Sequence, residues 1–308
     1  MTSPSVPAAG PATATPFDDL GIAVGAGEPL AVHTWLGVGG AARYFCEPVD
    51  REALARLVRR ATELGLPVRV IGGGSNVLVP DAGFPGLVVR LSAPGFCAIA
   101  IDDGGSGRIE AGAGAKLVHL VTAAVQAGLA GLETLVAVPG TVGGALVGNA
   151  GARGGDIGDR VRAVTVMQAD GSVEEREGAR LAFGSRWSNL DDGIVLGCRL
   201  ELDVEDPDQL TKRMQKQWIV ERAGQPSGTR SVALLFKDPL GASAESIIAQ
   251  AGCRGMRVGG ASIHGTHANY VTVQAGASSD DVRALVEMVR TQVRQRLGVE
   301  LAPQIESW

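Results

Sequence analysis

The chain is sparing with cysteine. Cys46, Cys97, Cys198 and Cys253 lie far apart and form no CxxC pair. That spacing gives no reason to expect a zinc site, another metal centre or a disulfide framework, and a reducing cytoplasm is the natural setting. Positive charge is not concentrated either: the net charge is −5 and no basic patch is evident, which argues against nucleic acid as a partner. No apolar run reaches the roughly 18 residues of a membrane span, so no membrane partner is expected. Residues 1–16 hold four prolines and no Lys or Arg. They lack the positive start and apolar stretch of a secretory signal and read as a disordered tail. No internal repeat is present. A GxGxxG turn opening a helix and a GK[ST]-ended phosphate loop are both missing, which disfavours a nicotinamide-type or nucleotide-triphosphate fold.

Glycine is what the chain has in excess. It supplies 44 of 308 residues, about twice the usual share of ~7%. The excess is not periodic, so collagen-like and low-complexity readings fail. It gathers in two runs. The first is Ile71-Gly72-Gly73-Gly74-Ser75-Asn76-Val77-Leu78-Val79; the second is Val138-Pro139-Gly140-Thr141-Val142-Gly143-Gly144-Ala145-Leu146-Val147-Gly148-Asn149-Ala150-Gly151. Such segments expose peptide N–H groups in rows, which bind phosphate oxygens without Lys or Arg. Two separated nests suit a long diphosphate-bearing cofactor better than one small anion. Taken alone, Gly72–Asn76 is equally compatible with a tight strand-to-loop turn.

The remaining pattern is mixed. Asp50 reads as the N-cap of a helix over Arg51–Leu64, closed by Gly65. Pro67 opens a buried strand, Val68–Ile71, and Gly86–Leu91 forms another. Ala98–Ile101 and Arg108–Ala111 read as strands joined by the turn at 102–105, and a helix follows over Lys116–Ala127. Val161–Gln168, Ser172–Glu177 and Ile194–Asp203 read as strands, with Asp170-Gly171 as a hairpin turn. After the linker Glu205-Asp206-Pro207 a charged helix runs from about Gln209 to Arg222. The last helix has a Ser278/Asp281 capping box, an apolar face through Val282, Leu285, Val286, Val289, Val293 and Leu297, and a stop at Gly298.

These motifs, in this order, resemble the UDP-N-acetylenolpyruvoylglucosamine reductase (MurB) family from about His33 to the C-terminus. Thr34–Ala42 is similar to its N-terminal T-x-x-x-x-G-G-x-A element, Ile71–Val79 to its GxGSNxL loop, and Val138–Gly151 to its PGTVGGAxxxNAG segment. Gln225-Pro226, Phe236–Pro239, Ile248–Gly252 and His267–Tyr270 are similar to the markers of its C-terminal domain. The resemblance implies an α+β chain with a two-subdomain FAD-binding PCMH-type fold over 17–204, split near 92–97, and a MurB-type substrate domain over 205–308. It implies FAD reduced by NADPH, the enolpyruvyl UDP-sugar as substrate, peptidoglycan synthesis as setting, and a cytoplasmic protein. A monomer is expected. It further implies cofactor contacts from Gly72, Gly73, Gly74, Ser75, Asn76, Pro139, Gly140, Thr141, Gly143, Gly144, Asn149 and Gly151, and substrate contacts from Arg222, Gln225, Lys237, His267 and Asn269.

For the chemistry, hydride passes to enolpyruvyl C3 and a proton to C2, which calls for a cation near the enolate and a proton donor. The family's S-Y-R-x-S pattern falls on Gly184–Ser188, so Arg186 matches the arginine that stabilises the enolate; a surface ion-pair arginine is the bland alternative. The family's donor, Ser or Cys two residues before Phe-Lys, falls on Leu234, which cannot give a proton. Ser231 lies at an odd offset, on the opposite face of a regular strand. The family's C-terminal Glu falls on Gln304, with Glu306 two residues on. Thr266 stands where Lys or Arg is usual. Three readings stay open: a working reductase, a catalytically impaired flavoprotein or UDP-sugar-binding accessory protein, and another oxidoreductase on the same scaffold. Loss of a positioned general acid typically lowers a rate about 10²–10⁴-fold.

Overall fold

The computed structural model describes residues 14–102, 104–152, 154–226, 232–239 and 241–308. Most of the expected tail and Ser231 lie outside the described residues. The expected helices form. Asp50 accepts a hydrogen bond from Ala53 N at 2.8 Å and starts the helix Arg51–Glu63; Gly65 follows in the left-handed region that ends it. Ala53, Leu54, Leu57, Val58 and Ala61 form its buried stripe. Full burial of each Leu contributes roughly 1.5–3 kcal/mol.

Two sheets carry the first two-thirds of the chain. One runs Val24–Pro29, Ala41–Cys46, Phe84–Val89, Val68–Val70 in spatial order, with its last three strands parallel. The other runs Val173–Glu177, Val161–Met167, Ile194–Glu201, Arg108–Gly112, Ile99–Ile101 and is antiparallel throughout. One apolar core joins them: Leu54, Leu57, Leu87 and Val89 pack in the same cluster as Ile109, Leu120, Val164 and Leu200. The strand Val68–Val70 is not the buried strand its sequence suggests. It lies at the sheet edge, and Arg69 and Val70 are exposed. Short β-branched runs look alike whether central or marginal, so periodicity could not separate the two.

The helix Pro207–Ala223, capped by Asp206, leads into a smaller unit. Its antiparallel sheet has the order Val232–Leu234, Tyr270–Val273, Ala261–Ile263, Arg257–Val258. The helix Ser279–Leu297 covers it, with the Ser278/Asp281 capping box formed at both ends and Gly298 left-handed. This second core also takes in Leu36, Val38 and Leu78 from the first part of the chain. Asp81 and Ser279 bond reciprocally: Asp81 N donates to Ser279 Oγ at 2.9 Å and Ser279 N to the Asp81 carboxylate at 3.0 Å. The chain's end then returns as a parallel strand, Glu306–Ser307, beside Val77–Leu78. That return brings Gln304 to the first glycine run. No helix among the described residues is long and apolar enough to cross a membrane.

Candidate active site

The two glycine runs, far apart in sequence, meet face to face. A Cβ on Gly73 would come within 2.7 Å of Gly140 Cα, so neither loop has room for a side chain there. The backbone N–H groups of Gly72, Gly73, Gly74, Ser75 and Asn76 donate to no acceptor among the described residues, and neither do those of Gly140 and Thr141. Unpaired N–H groups clustered at close-approaching backbone form an anion cradle. No Lys or Arg lies in either run, so backbone dipoles supply the attraction. These residues fit the diphosphate of a dinucleotide.

The rest of the second run is not an open row. Thr141 caps a short helix, Val142–Val147, and its Oγ1 accepts from Gly144 N at 3.4 Å. Val142 N and Gly143 N donate to Ala115 O and Ala113 O at 2.9 and 2.8 Å. Gly143 and Gly151 are small for packing reasons, against Ala113 and the Asp156 carboxylate respectively. Asn149 is 3% exposed. Its amide donates to Gly184 O at 2.8 Å and Asp156 Oδ2 at 3.3 Å, and its Oδ1 accepts from Gly158 N at 3.0 Å. The open part of the run is therefore Pro139–Thr141. The sequence showed a glycine-rich segment but not the helix hydrogen bonds that occupy half of it.

Asn149 fastens a two-strand hairpin, Phe183–Gly184 with Trp187–Ser188, and Ser188 Oγ donates to Val147 O at 2.8 Å. Arg186 sits in its turn with φ +55°. Only Asn149 shares such a backbone among described residues other than glycine. The left-handed region disfavours any residue with a Cβ by roughly 1–2 kcal/mol, and such outliers gather at functional sites. Arg186 makes no ion pair with any described residue. It lies near Asp156, whose carboxyl is pushed up by burial and pulled back by the Arg186 guanidinium.

The smaller unit closes over this hairpin. Lys237 Nζ donates to Arg186 O at 3.0 Å. Asn269, 5% exposed, spends its amide on the Phe236 backbone, donating to its O at 2.8 Å and accepting from its N at 3.0 Å. Asn269 thus anchors the Phe236-Lys237 pair, and His267 does not share that contact. The His267 ring stacks on His264, centroids 5.1 Å apart, with Nδ1 4.0 Å from Glu245 Oε1. Burial and the neighbouring His267 lower the basicity of His264. Arg222 and Gln225 are half-buried at the end of the helix Pro207–Ala223.

Gln304 N donates to Leu235 O at 2.7 Å, and Asn76 Nδ2 donates to Gln304 O at 2.6 Å. Gln304 therefore ties the first glycine run to the strand of Leu234. Its Oε1 is the one buried side-chain polar atom without a hydrogen-bond partner among the described residues. An unfilled buried acceptor is costly to leave dry, on the order of 1–3 kcal/mol, and calls for a donor from a ligand. Glu306 is exposed and offers no such placement. Tyr270, the last residue of the His267–Tyr270 motif, stands opposite Leu234. Strand register was the missing signal.

Comparison with known proteins accords with this arrangement. Residues 42–176 match the model of an FAD binding domain, and residues 225–308 match that of the UDP-N-acetylenolpyruvoylglucosamine reductase C-terminal domain. The UDP-N-acetylenolpyruvoylglucosamine reductase of Rhodopirellula baltica is 39% identical over 94% of this chain and 94% of its own length. That of Geobacter metallireducens is 38% identical over 90% and 91%. The crystal structure of MurB from Thermus caldophilus superposes with a TM-score of 0.78 at 37% identity, covering 93% of this chain and 98% of that one. The fold is α+β, a PCMH-type FAD-binding domain followed by a MurB-type C-terminal domain. This chain belongs to the UDP-N-acetylenolpyruvoylglucosamine reductase (MurB) family.

Proposed function

We propose that the protein is an FAD-dependent, NADPH-using reductase that converts UDP-N-acetylenolpyruvoylglucosamine to UDP-N-acetylmuramate in cytoplasmic peptidoglycan synthesis. The observation that carries this reading is the meeting of three parts: the facing N–H groups of Gly72–Asn76 and Gly140–Thr141, the Arg186 hairpin, and Lys237 bonded to that hairpin. The glycine runs, with Ser75, Asn76, Pro139 and Thr141, hold the cofactor. The chemistry FAD supplies when bound is hydride transfer from NADPH to enolpyruvyl C3. Arg186, a permanent planar cation, neutralises charge on the enolate that follows. Asn149 acts behind it as a positioning residue, because its amide fixes Gly184. Arg222, Gln225, Lys237 and His267 lie on the substrate side, with Asn269 holding the Phe236 backbone beside Lys237.

A flavin absorption band that NADPH bleaches and the enolpyruvyl sugar restores, under anaerobic conditions, tests the reading. A colourless protein, or one that the sugar never reoxidises, would end it.

Two observations support a second reading, a catalytically impaired flavoprotein or UDP-sugar-binding accessory protein. Leu234 has no transferable proton, and the Gln304 carboxamide cannot act as an acid where its Oε1 stands buried and unfilled. On that reading Leu234→Ser with Gln304→Glu raises turnover sharply, by up to about 10²–10⁴-fold. An equal rate before and after the double change removes it.

A further inference from the structure

The strand that carries Leu234 has a hydroxyl beside it. Leu234 is the register partner of Tyr270 across the antiparallel pair Val232–Leu234 and Tyr270–Val273. Opposed residues of such a pair share a face. Burial assigns the faces: Ala233, Leu235 and Val271 pack in the second core, so Leu234 and Tyr270 point the other way. On that side the guanidinium groups of Arg186 and Arg222 and the carboxylates of Glu221 and Glu245 all act on the Tyr270 phenol. The His267 ring lies edge-on to it, centroids 6.4 Å apart. No hydrogen bond from a described residue is among the influences on the phenol. Lys237, three residues beyond Leu234, donates from Nζ to the Arg186 carbonyl.

We propose that Tyr270 is the proton donor of this chain, delivering its phenolic proton to C2 of the substrate from the position next to Leu234. The proposal rests on the reductase reading given above. The hydride that a bound flavin reduced by NADPH would supply makes the C3–H bond and leaves an electron pair shared between C2 and the carboxylate. That pair forms a C2–H bond with the Tyr270 proton as the O–H bond breaks. The O–H pair stays on the phenolate oxygen, where the charges of Arg186 and Arg222 act on it, and water returns the proton. Burial, with the two carboxylates, pushes the phenol up to about 12, which keeps it protonated at neutral pH and makes it a weaker acid than an ordinary tyrosine until the enolate presents its charge. The same two arginines favour the phenolate once it forms. Leu234, half-buried beside it, shields the transfer from water.

The test uses flavin-loaded full-length protein as wild type, Tyr270→Phe, and Tyr270→Phe with Leu234→Ser. Flavin content and bleaching by NADPH, in which the phenol takes no part, verify that each variant is folded. Turnover of the enolpyruvyl sugar by Tyr270→Phe should fall about 10²–10⁴-fold with little change in KM. Restoring serine at 234 should recover at least part of it, which a purely structural role for Tyr270 would not allow. Undiminished turnover by Tyr270→Phe, or no recovery in the double variant, overturns the proposal while leaving the reductase reading intact. A wild type that bleaches yet never converts the sugar sinks the reductase reading itself, and the proposal with it. A second readout needs no activity. The chain has only two tyrosines, so Tyr44→Phe leaves Tyr270 as the sole source of phenolate ultraviolet absorbance. Its titration should lie well above that of an ordinary tyrosine and move higher still in Arg186→Gln. An ordinary midpoint, indifferent to Arg186, contradicts the assignment.

Discussion

Replacing Gly73 by alanine isolates the contact on which the proposed cofactor cradle depends. The added Cβ would lie 2.7 Å from Gly140 Cα, which is 0.7 Å inside the 3.4 Å limit of ordinary contact. The obstacle is backbone, so no side chain can swing aside. Gly73 itself needs no left-handed conformation, which leaves the steric clash as the whole perturbation. Overpacking of this kind costs about 1–3 kcal/mol. If the two runs part, their N–H groups no longer face one ligand and the loss appears in FAD affinity. At 1.4 kcal/mol per tenfold, that is roughly 5- to 140-fold. If the runs hold, the strain remains and the loss appears in folding stability. Flavin fluorescence titration and urea unfolding of the apoprotein measure the two shares. Gly95→Ala is the control, because nothing lies within 4 Å of its added Cβ. Unchanged affinity together with unchanged stability in Gly73→Ala would refute the claim that the runs meet as described.

Arg186→Gly removes a left-handed strain and a cation together. Thermal unfolding should show stability unchanged or raised by up to ~1 kcal/mol, while sugar turnover collapses; a clear loss of stability would contradict the strained hairpin. Glu133, buried, is opposed by desolvation, yet the backbone N–H groups at Glu133 and Gly131 and the Arg213 guanidinium hold its carboxyl below the usual range. Its stabilising share is therefore full above the ordinary carboxylate value and is lost as pH falls through the lower folded one. The unfolding difference between wild type and Glu133→Gln should shrink across that acidic window, and a difference that grows there would reverse the sign.

Local signals carried a good deal of this fold. The Asp50 cap, the Ser278/Asp281 box and the glycines at 65 and 298 were legible because capping is set by neighbours along the chain. The C-terminal sheet was not, since its strands span two to four residues and show no period. For the site, the two glycine runs announced themselves, but sequence credits every residue of a motif alike. The structure divides them: Gly72–Asn76 and Gly140–Thr141 stay open, whereas Gly143, Asn149 and Asn269 are spent on holding backbone and Gly151 is packed against the Asp156 carboxylate. Tyr270 lay beyond reach for the converse reason. Its meaning depends on pairing with Leu234, a residue 36 positions away, and register is a tertiary property.

The central claim is that this cradle and this Arg186 site serve one reduction. Anaerobic mixing of the flavin-loaded protein with NADPH and UDP-N-acetylenolpyruvoylglucosamine tests it most directly, by counting NADPH consumed against UDP-N-acetylmuramate formed. The account predicts equal amounts of both. Flavin reduction by NADPH with no sugar product would contradict it.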